Sequence, residues 1–373
     1  MSANSSVASP RRKWRRTRNR RPDPCNSEWG GYRRLSRTPA PESRPRSYVR
    51  PAIRAAGAGK CTKLPGVANP FPWLDAIIQG KNRMKMTLRL ALPLLLLSAS
   101  ANAIVIRHDQ PDARYRVSPS AIPALADLPD EGHGTLIAPR WVLTAAHAVN
   151  MMQMMPEEHY VTINGKRRAV SRIVVHPDYP ASREQWQQMF GGVKTAEPAA
   201  FARQYKAAMD AMHDIALLEL AEPVTDVAPL PIDRGNARPG MLARVYGAGA
   251  TGTDLTGAPD SETHRTRLRR AENRLDRTDG PWLRYVFDCS AGAPELGGAT
   301  AGGDSGGPVT IDVAGRTYLA GVTHGLDGTN SEVRHIVRQM QDGSFRMGVC
   351  GQRFAAARTG FYAAWIDRIM AGH

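Results

Sequence analysis

Short apolar runs bounded by glycine and proline recur between residues 104 and 373, and they predict β-strands. The runs are rich in β-branched and aromatic residues, and each is too short for a helix. The clearest runs are residues 135–137, 141–143, 172–175, 215–220, 242–246 and 318–323. Their spacing predicts an all-β domain, either a sandwich or a barrel.

Helical periodicity appears in two other stretches. In residues 198–212 the apolar side chains recur at helical spacing, which predicts an amphipathic helix. The residues on its apolar face are Phe201, Tyr205, Met209 and Met212. Residues 362–370 predict a second, terminal helix.

The pattern upstream of residue 104 is typical of a secretory signal peptide. Residues 84–103 combine a positively charged start, an apolar run at residues 90–97 and an Ala-x-Ala ending at Ala103. An internal membrane anchor is the alternative, but spanning a bilayer takes about 20 apolar residues and this run is much shorter. We therefore expect cleavage after Ala103 and a secreted or periplasmic product with no stable membrane anchor.

The positive charge of the chain is concentrated ahead of that signal. The whole chain carries 50 Lys or Arg and 34 Asp or Glu, a formal net charge of +16. Residues 1–83 hold 19 basic and 4 acidic residues, whereas residues 104–373 hold 29 basic and 30 acidic residues. The mature part is nearly neutral, so its composition predicts no nucleic-acid partner.

Residues 1–83 form no plausible domain. They are rich in arginine and proline and poor in aliphatic residues, so they cannot bury enough surface to offset the entropy of ordering. Our first interpretation is a start codon assigned too early, with Met84 or Met86 as the true initiator. A disordered basic arm that binds nucleic acid is the alternative, and a secreted mature chain would lose it.

Residues 104–373 contain two cysteines, Cys289 and Cys350. In an oxidising compartment they allow one disulfide, which would stabilise the fold by about 3–4 kcal/mol, and two free buried thiols are the alternative. A cluster of methionines at residues 151–155 suggests soft-metal binding, but such side chains usually fill apolar gaps. No zinc-type spacing of His and Cys accompanies them, so we expect neither a metal nor a cofactor.

Three segments carry candidate chemistry, in the order His147, Asp214, Ser305, separated by 67 and 91 residues. A serine hydroxyl is a poor nucleophile and needs an adjacent base, here His147, to accept its proton. Asp214 would fix the histidine tautomer and stabilise the imidazolium that forms. Glycines flank Ser305, and the N–H groups of Gly303 and Ser305 would form an oxyanion hole.

These segments resemble those of the chymotrypsin-like, or trypsin-like, serine protease family. The letters TAAH at residues 144–147 and GDSGGP at residues 303–308 match the two signature motifs of that family, and the strand that follows Asp214 matches the third. The chain is therefore identified as a member, and we expect a bacterial secreted one that is monomeric. The match extends over the whole mature chain.

The resemblance implies two packed six-stranded antiparallel β-barrels and a C-terminal helix. We place the barrels at about residues 104–230 and 231–355, and the helix at residues 362–370. His147 and Asp214 would lie on the first barrel and Ser305 on the second, with the cleft between them.

The resemblance also implies an activation step, in which a new N-terminal ammonium pairs with the acid that precedes the nucleophile. That acid is Asp304, and cleavage after Ala103 would expose Ile104. We hypothesise that signal peptidase delivers the active form without a separate zymogen step. The chain departs from the family in having Ile106 and Arg107 where two glycines are usual.

The cysteines depart from the family pattern as well. The usual bridge beside the catalytic histidine would join positions that are Gly132 and Ala148 here, so both partners are absent together. Cys350 resembles one member of the bridge near the specificity pocket, and Cys289 is then its displaced partner.

The specificity pocket is implied to contain Ala299, Thr323, His324 and Gly325. Trypsin has an acid at the position of Ala299, so basic specificity is not supported, and a small or medium apolar substrate side chain is the expectation. His324 stands where the family usually has tryptophan. We interpret it as a solvent-facing histidine, with preference for an acidic substrate residue as the alternative.

These observations predict a serine endopeptidase that hydrolyses protein or peptide substrates through an acyl-enzyme. A non-catalytic binding protein on a protease scaffold is the alternative. The stretch 180–212 is longer than the family needs, and we interpret it as surface decoration, with a lid over the cleft as the alternative.

Overall fold

The computed structural model describes residues 103–129, 132–180, 185, 196–258 and 266–372, and all structural statements below concern these residues. The leader predicted at residues 1–83, and the signal peptide up to its last residue, lie outside the described part of the chain.

Six strands of the first half of the described chain close into an antiparallel barrel. In spatial order it is β2-β3-β4-β7-β6-β5. Apolar and polar positions alternate along these strands as expected for a barrel wall: in β5, Val161 and Ile163 are fully buried while their neighbours are partly exposed. The strands are β2 (Leu125–Asp127), β3 (His133–Ala138), β4 (Trp141–Thr144), β5 (Tyr160–Ile163), β6 (Lys166–Val175) and β7 (Ala216–Leu220).

A second closed barrel follows, also antiparallel throughout, in the order β10-β11-β15-β14-β13-β8. The predicted all-β architecture of two six-stranded barrels is confirmed. The strands of this barrel are β8 (Leu242–Gly247), β10 (Arg269–Asp279), β11 (Trp282–Val286), β13 (Pro308–Val313), β14 (Arg316–Asp327) and β15 (Arg353–Arg358).

The start of the described chain belongs to a small third sheet. Its members are β1 (Ile104–Ile106), β9 (Thr251–Thr253) and β12 (Gly298–Ala299). β1 lies between the other two, parallel to β9 and antiparallel to β12. Its residues pack with the apolar core of the second barrel, although the sequence grouped them with the first.

The α-helices whose bounds lie in the described part of the chain are α1 (Asn150–Met154), α2 (Pro198–Ala211), α3 (Asn330–Asp342) and α4 (Thr359–Met370). The predicted helices are α2 and α4. α2 begins at Pro198 because the Glu197 carboxylate accepts the N–H groups of Ala199 and Ala200 at 2.9 and 2.7 Å. α3 was not predicted, and it packs against α2 through Val333 and Val337.

The C-terminal helix α4 returns to the body of the molecule. Its residues Tyr362, Trp365 and Ile366 are buried in the same apolar cluster as Ile215 and Leu217 of the first barrel. No helix within the described ranges combines the length and apolarity that crossing a membrane would require.

Candidate active site

His147 and Asp214 come together because the strands beside them are neighbours. β4 and β7 are antiparallel, with Thr144 opposite Ala216. His147 follows the end of β4 and Asp214 precedes the start of β7, so both lie at the same end of the strand pair. The two residues between β4 and His147 are fully buried alanines, whose small side chains let the histidine lie close to the neighbouring backbone.

The Asp214 carboxylate is fully buried. Its Oδ1 accepts the backbone N–H of His147 at 2.9 Å, and its Oδ2 lies 2.6 Å from His147 Nδ1. Burial alone would raise the pKa of this carboxyl, but the charge attraction of His147 and the hydrogen bonds from His147 and His324 outweigh it. The net result is a pKa well below the ordinary value, so Asp214 is ionised at neutral pH.

Ser305 Oγ lies 2.6 Å from His147 Nε2. An ionised carboxylate only accepts hydrogen bonds, so His147 carries its proton on Nδ1 and presents the Nε2 lone pair to the serine hydroxyl. This is the tautomer that a base needs in order to take the serine proton. The arrangement can therefore activate the hydroxyl as a nucleophile.

Backbone hydrogen bonds hold the Ser305 loop from both barrels. The N–H of His133 in β3 donates to Ser305 O at 2.7 Å, and the N–H of Gly306 donates to Thr323 O in β14 at 2.8 Å. Gly306 has a φ of 74°, and a Cβ there would lie 2.1 Å from His133 O. Only glycine fits at this position, which explains why the small residue follows the nucleophile.

Two backbone N–H groups beside Ser305 can receive a developing negative charge. Gly303 has a φ of 86°, a conformation that lets successive amides converge on an anion. In the described part of the chain, neither the Gly303 N–H nor the Ser305 N–H donates to a protein acceptor. These two N–H groups are the donors of the predicted oxyanion hole.

His133 is a site residue that the sequence did not predict. Its side chain is 1% exposed, its Nδ1 lies 3.1 Å from Asp127 Oδ1, and its Nε2 accepts the backbone N–H of Ala248 at 2.9 Å. Because Ala248 follows β8, this imidazole connects the first barrel to the second directly beneath the nucleophile loop. A histidine at the start of a strand carries no distinctive signal in a single sequence.

His324 does not face solvent, and that prediction was wrong. Its side chain is only 11% exposed, and its Nδ1 lies 2.5 Å from Asp214 Oδ2. Its ring also packs edge-on against Trp282, with centroids 5.1 Å apart. The imidazole points inward because the buried carboxylate of Asp214 is its hydrogen-bond partner.

The other predicted pocket residues lie at different depths. Thr323 is 2% exposed in β14, and Gly325, with a φ of 139°, follows His324 in the same strand. Ala299 is fully buried in β12, where it pairs with Val105 of β1. No carboxylate stands at the Ala299 position to bind a basic substrate side chain.

Ile104 and Asp304, the predicted activation pair, are connected through one loop. The fully buried Asp304 carboxylate accepts the N–H groups of Gly249 and Ala301 at 2.8 and 2.9 Å. Two residues after Gly249, Thr251 pairs with Ile104 in the β1–β9 ladder, and its Oγ1 donates to Ile104 O at 2.8 Å. Residues 249–251 thus join the start of β1 to the loop of the nucleophile.

Cys289 and Cys350 form a disulfide, with Cα atoms 5.8 Å apart and a sequence separation of 61. The positions of the absent family bridge also face each other. A Cβ at Gly132 would lie 3.3 Å from Ala148 Cβ, slightly closer than the roughly 3.5–4.5 Å between the Cβ atoms of bridged cysteines.

Three groups of described side chains bring three possible metal-ligand atoms within 4.8 Å of one another. The groups are His147, Asp214 and His324; His176, Asp178 and His213; and Asp254, Cys289 and Cys350. In the first, short hydrogen bonds occupy the donor atoms, and in the third the disulfide leaves no thiolate to bind a metal. In the second, the rings of His176 and His213 stack with centroids 4.5 Å apart, and burial lowers the pKa of His176.

The sequence of this chain is similar to those of known proteins. The sequence model of the Trypsin family matches residues 114–340. Tryptase of Mus musculus is 26% identical over 214 residues, which cover 52% of this chain and 68% of tryptase. Kallikrein 1-related peptidase b24 of Mus musculus is 28% identical over 199 residues, which cover 52% of this chain and 67% of that protein.

Among solved structures, this chain is similar to neuropsin, a serine protease expressed in the limbic system of mouse brain. The TM-score is 0.46 at 18% sequence identity, and the alignment covers 69% of this chain and 98% of neuropsin.

Proposed function

Since the chain belongs to the trypsin family of serine proteases, we propose that it is a secreted endopeptidase in which His147, Asp214 and Ser305 hydrolyse peptide bonds. Proteins of this family act on protein or peptide substrates. The observation that carries the proposal is the unbroken series of contacts from Ser305 Oγ to His147 Nε2 and from His147 Nδ1 to Asp214 Oδ2, each of 2.6 Å.

In the first half-reaction, Ser305 Oγ attacks the carbonyl carbon of the substrate while His147 Nε2 takes its proton. The bond to the nucleophile forms as the carbonyl oxygen becomes an oxyanion, and the N–H groups of Gly303 and Ser305 stabilise that charge. The imidazolium formed on His147 is stabilised by the Asp214 carboxylate beside it.

Collapse of this intermediate breaks the peptide bond. His147 Nε2 returns its proton to the leaving amine, and the acyl group remains on Ser305 as an ester. A water molecule then attacks the ester with His147 as base, and the second collapse releases the acid and restores the serine hydroxyl.

We propose that the active form begins at Ile104, as signal peptidase cleavage after Ala103 would generate it. The φ of Ile104 is 59°, a strained value for a β-branched residue. This torsion exists only while the peptide bond to Ala103 is intact, so cleavage there would remove the strain. The free ammonium of Ile104 would then lie beside residues 249–251, which contact the Asp304 carboxylate.

We propose further that the enzyme is a monomeric bacterial protein of the periplasm or the extracellular space. In this proposal residues 1–83 precede the true start, residues 84–103 are the signal peptide, and residues 104–373 are the protease domain. Substrate selection would favour a small or medium apolar side chain, because Ala299 offers no charge.

The test uses protein that begins at Ile104, with Ser305→Ala as the control. We expect a fluorophosphonate probe to label the first protein and not the second, and a mixed peptide library to be cut only by the first, after small or apolar residues. A version that retains Ala103 should cut more slowly. Failure of the Ile104 protein both to label and to cut would refute catalysis and favour the binding-scaffold alternative.

A further inference from the structure

We propose that His324 is a positioning residue for the reaction, a second imidazole that donates a hydrogen bond to Asp214 and fixes the carboxylate in the orientation that His147 requires. This inference rests on the proposed function of the same site, and it assigns a role that neither the motifs nor the family resemblance supplies.

The direction of the hydrogen bond follows from the charge of Asp214. His324 Nδ1 lies 2.5 Å from Asp214 Oδ2, a contact that requires a proton between the two atoms. Because the carboxylate is ionised and can only accept, the proton is on His324 Nδ1. Asp214 therefore accepts three hydrogen bonds, two from His147 and one from His324.

A β-bulge directs His324 toward the carboxylate. Along β14, Thr323 pairs with Ala356 and Gly325 pairs with Ala355, so His324 is an extra residue without its own partner in β15. Bulges of this kind change the direction of a side chain at the edge of a site. Here the change turns the imidazole toward Asp214.

The ring of His324 is held by Trp282. The indole is 1% exposed and meets the imidazole edge-on at 60°, with centroids 5.1 Å apart. The Trp282 Nε1–H donates to Met209 O, in the last turn of α2, at 2.9 Å. The inserted helix α2 therefore supports the imidazole that contacts Asp214.

A buried arginine fixes the same region from a second side. Arg284, in β11 and 3% exposed, donates from Nη2 to Asp210 of α2 at 3.1 Å and from Nε to Asp327 of β14 at 2.5 Å. The end of α2 and the strand that carries His324 are thus joined through one side chain. Through these contacts, helix α2 holds the strand that carries His324 in place.

The hydrogen bond from His324 affects the reaction by restricting rotation of the Asp214 side chain. Rotation about its Cβ–Cγ bond would break the contacts at both oxygens, and the His324 bond resists that rotation. The donated hydrogen bond also withdraws negative charge from Asp214 Oδ2. It therefore weakens the attraction between this oxygen and the imidazolium of His147. The titratable groups that His324 contacts are Asp214 and His147, and its other ring contact, Trp282, does not titrate.

The first experiment compares three substitutions in protein that begins at Ile104. In His324→Asn the side-chain amide nitrogen can occupy the position of Nδ1. In His324→Gln the amide nitrogen falls at the position of Nε2. His324→Phe keeps only an aromatic ring against Trp282. We expect kcat to fall about 10–100-fold for Phe and Gln, with KM changed less than about threefold. The apparent pKa of the acid limb of kcat/KM should rise in the Phe and Gln variants. The Asn variant should keep most of the wild-type kcat and the wild-type pKa of the acid limb.

The second experiment needs neither activity nor a His324 substitution. In Ser305→Ala protein with 15N-labelled histidine, we expect two strongly deshielded Nδ1 protons, one from His147 and one from His324. This result would support the inference even if the protein proves to be no peptidase. An unprotonated His324 Nδ1 would overturn it, as would an Asn variant as impaired as Phe, or a Phe variant with the kcat and pH profile of the wild type.

Discussion

The charge of Asp214 is the property on which the other polar residues of the site depend. The carboxylate has no exposed surface, yet its pKa is lowered, because the charge attraction and hydrogen bonds of His147 and His324 outweigh the effect of lost hydration. A carboxyl whose pKa is lower in the folded state stabilises the protein above its unfolded-state pKa of about 3.9, and this contribution is lost as the pH falls toward the folded-state value.

We therefore predict that Asp214→Asn lowers stability more at neutral pH than in acid. In a Ser305→Ala background, to prevent self-digestion, the variant should unfold about 1.5–3 kcal/mol more easily at pH 7. Below about pH 4 the difference should shrink, because the unfolded aspartate protein takes up a proton at Asp214 and the asparagine variant has no such group. Thermal unfolding by circular dichroism between pH 7 and pH 2 measures this. A difference that stays constant over the range would contradict the prediction.

At the residue scale the sequence predicted the three side chains that meet at the candidate site and missed the histidines that contact them. His147, Asp214 and Ser305 stand in motifs whose letters are specific. His324 and His133 are single histidines in strands, and their roles depend on a bulge and on a contact between barrels. Neither feature has a local sequence signal, since each is produced by residues far apart in the chain.

At the scale of elements, helices α2 and α3 pack against each other. α2 was predicted because its apolar face recurs at helical spacing, and Met209 and Met212 on that face are buried in the core cluster of the first barrel. α3 was missed because it is mostly polar and buries a short stripe against α2 instead of a barrel. Its ends do carry signals in the sequence: Thr329 and Glu332 form a capping box, and Gly343 ends the helix in the left-handed conformation.

We predict that Thr329→Ala destabilises the protein by about 1 kcal/mol, because the N–H of Glu332 loses the threonine hydroxyl as its acceptor. Thr329→Ser keeps a hydroxyl and is the matched control, with stability close to that of the wild type. Urea unfolding of both variants in the Ser305→Ala background measures the effect. Equal losses for Ala and Ser would mean that the threonine methyl, and not the cap, provides the stabilisation.

At the scale of the whole molecule, the disulfide connects two distant parts of the second half of the chain. Cys289 lies between β11 and β12, and Cys350 lies between α3 and β15. The sequence allowed this bond from the compartment alone. It did not predict that β1 would cross to the core of the second barrel, because a three-residue apolar strand carries no information about its partners.

We predict that replacing both Cys289 and Cys350 with alanine lowers the free energy of unfolding by about 4 kcal/mol, as expected when a loop of about 60 residues is no longer closed in the unfolded chain. Guanidinium unfolding with and without a reductant measures it. Reductant should destabilise the wild type and leave the double variant unchanged. A reductant effect of the same size on both proteins would show that the reductant acts at a site other than the Cys289–Cys350 disulfide.

The C-terminal helix α4 also completes the apolar core of the first barrel. The first barrel precedes the second in the chain, but its apolar cluster includes Tyr362, Trp365 and Ile366, which follow the last strand of the second barrel. Tyr362 also places its hydroxyl 3.2 Å from Nδ1 of His213, next to Asp214. The apolar cluster beside Asp214 is therefore complete only when residues 362–366 are folded against the first barrel.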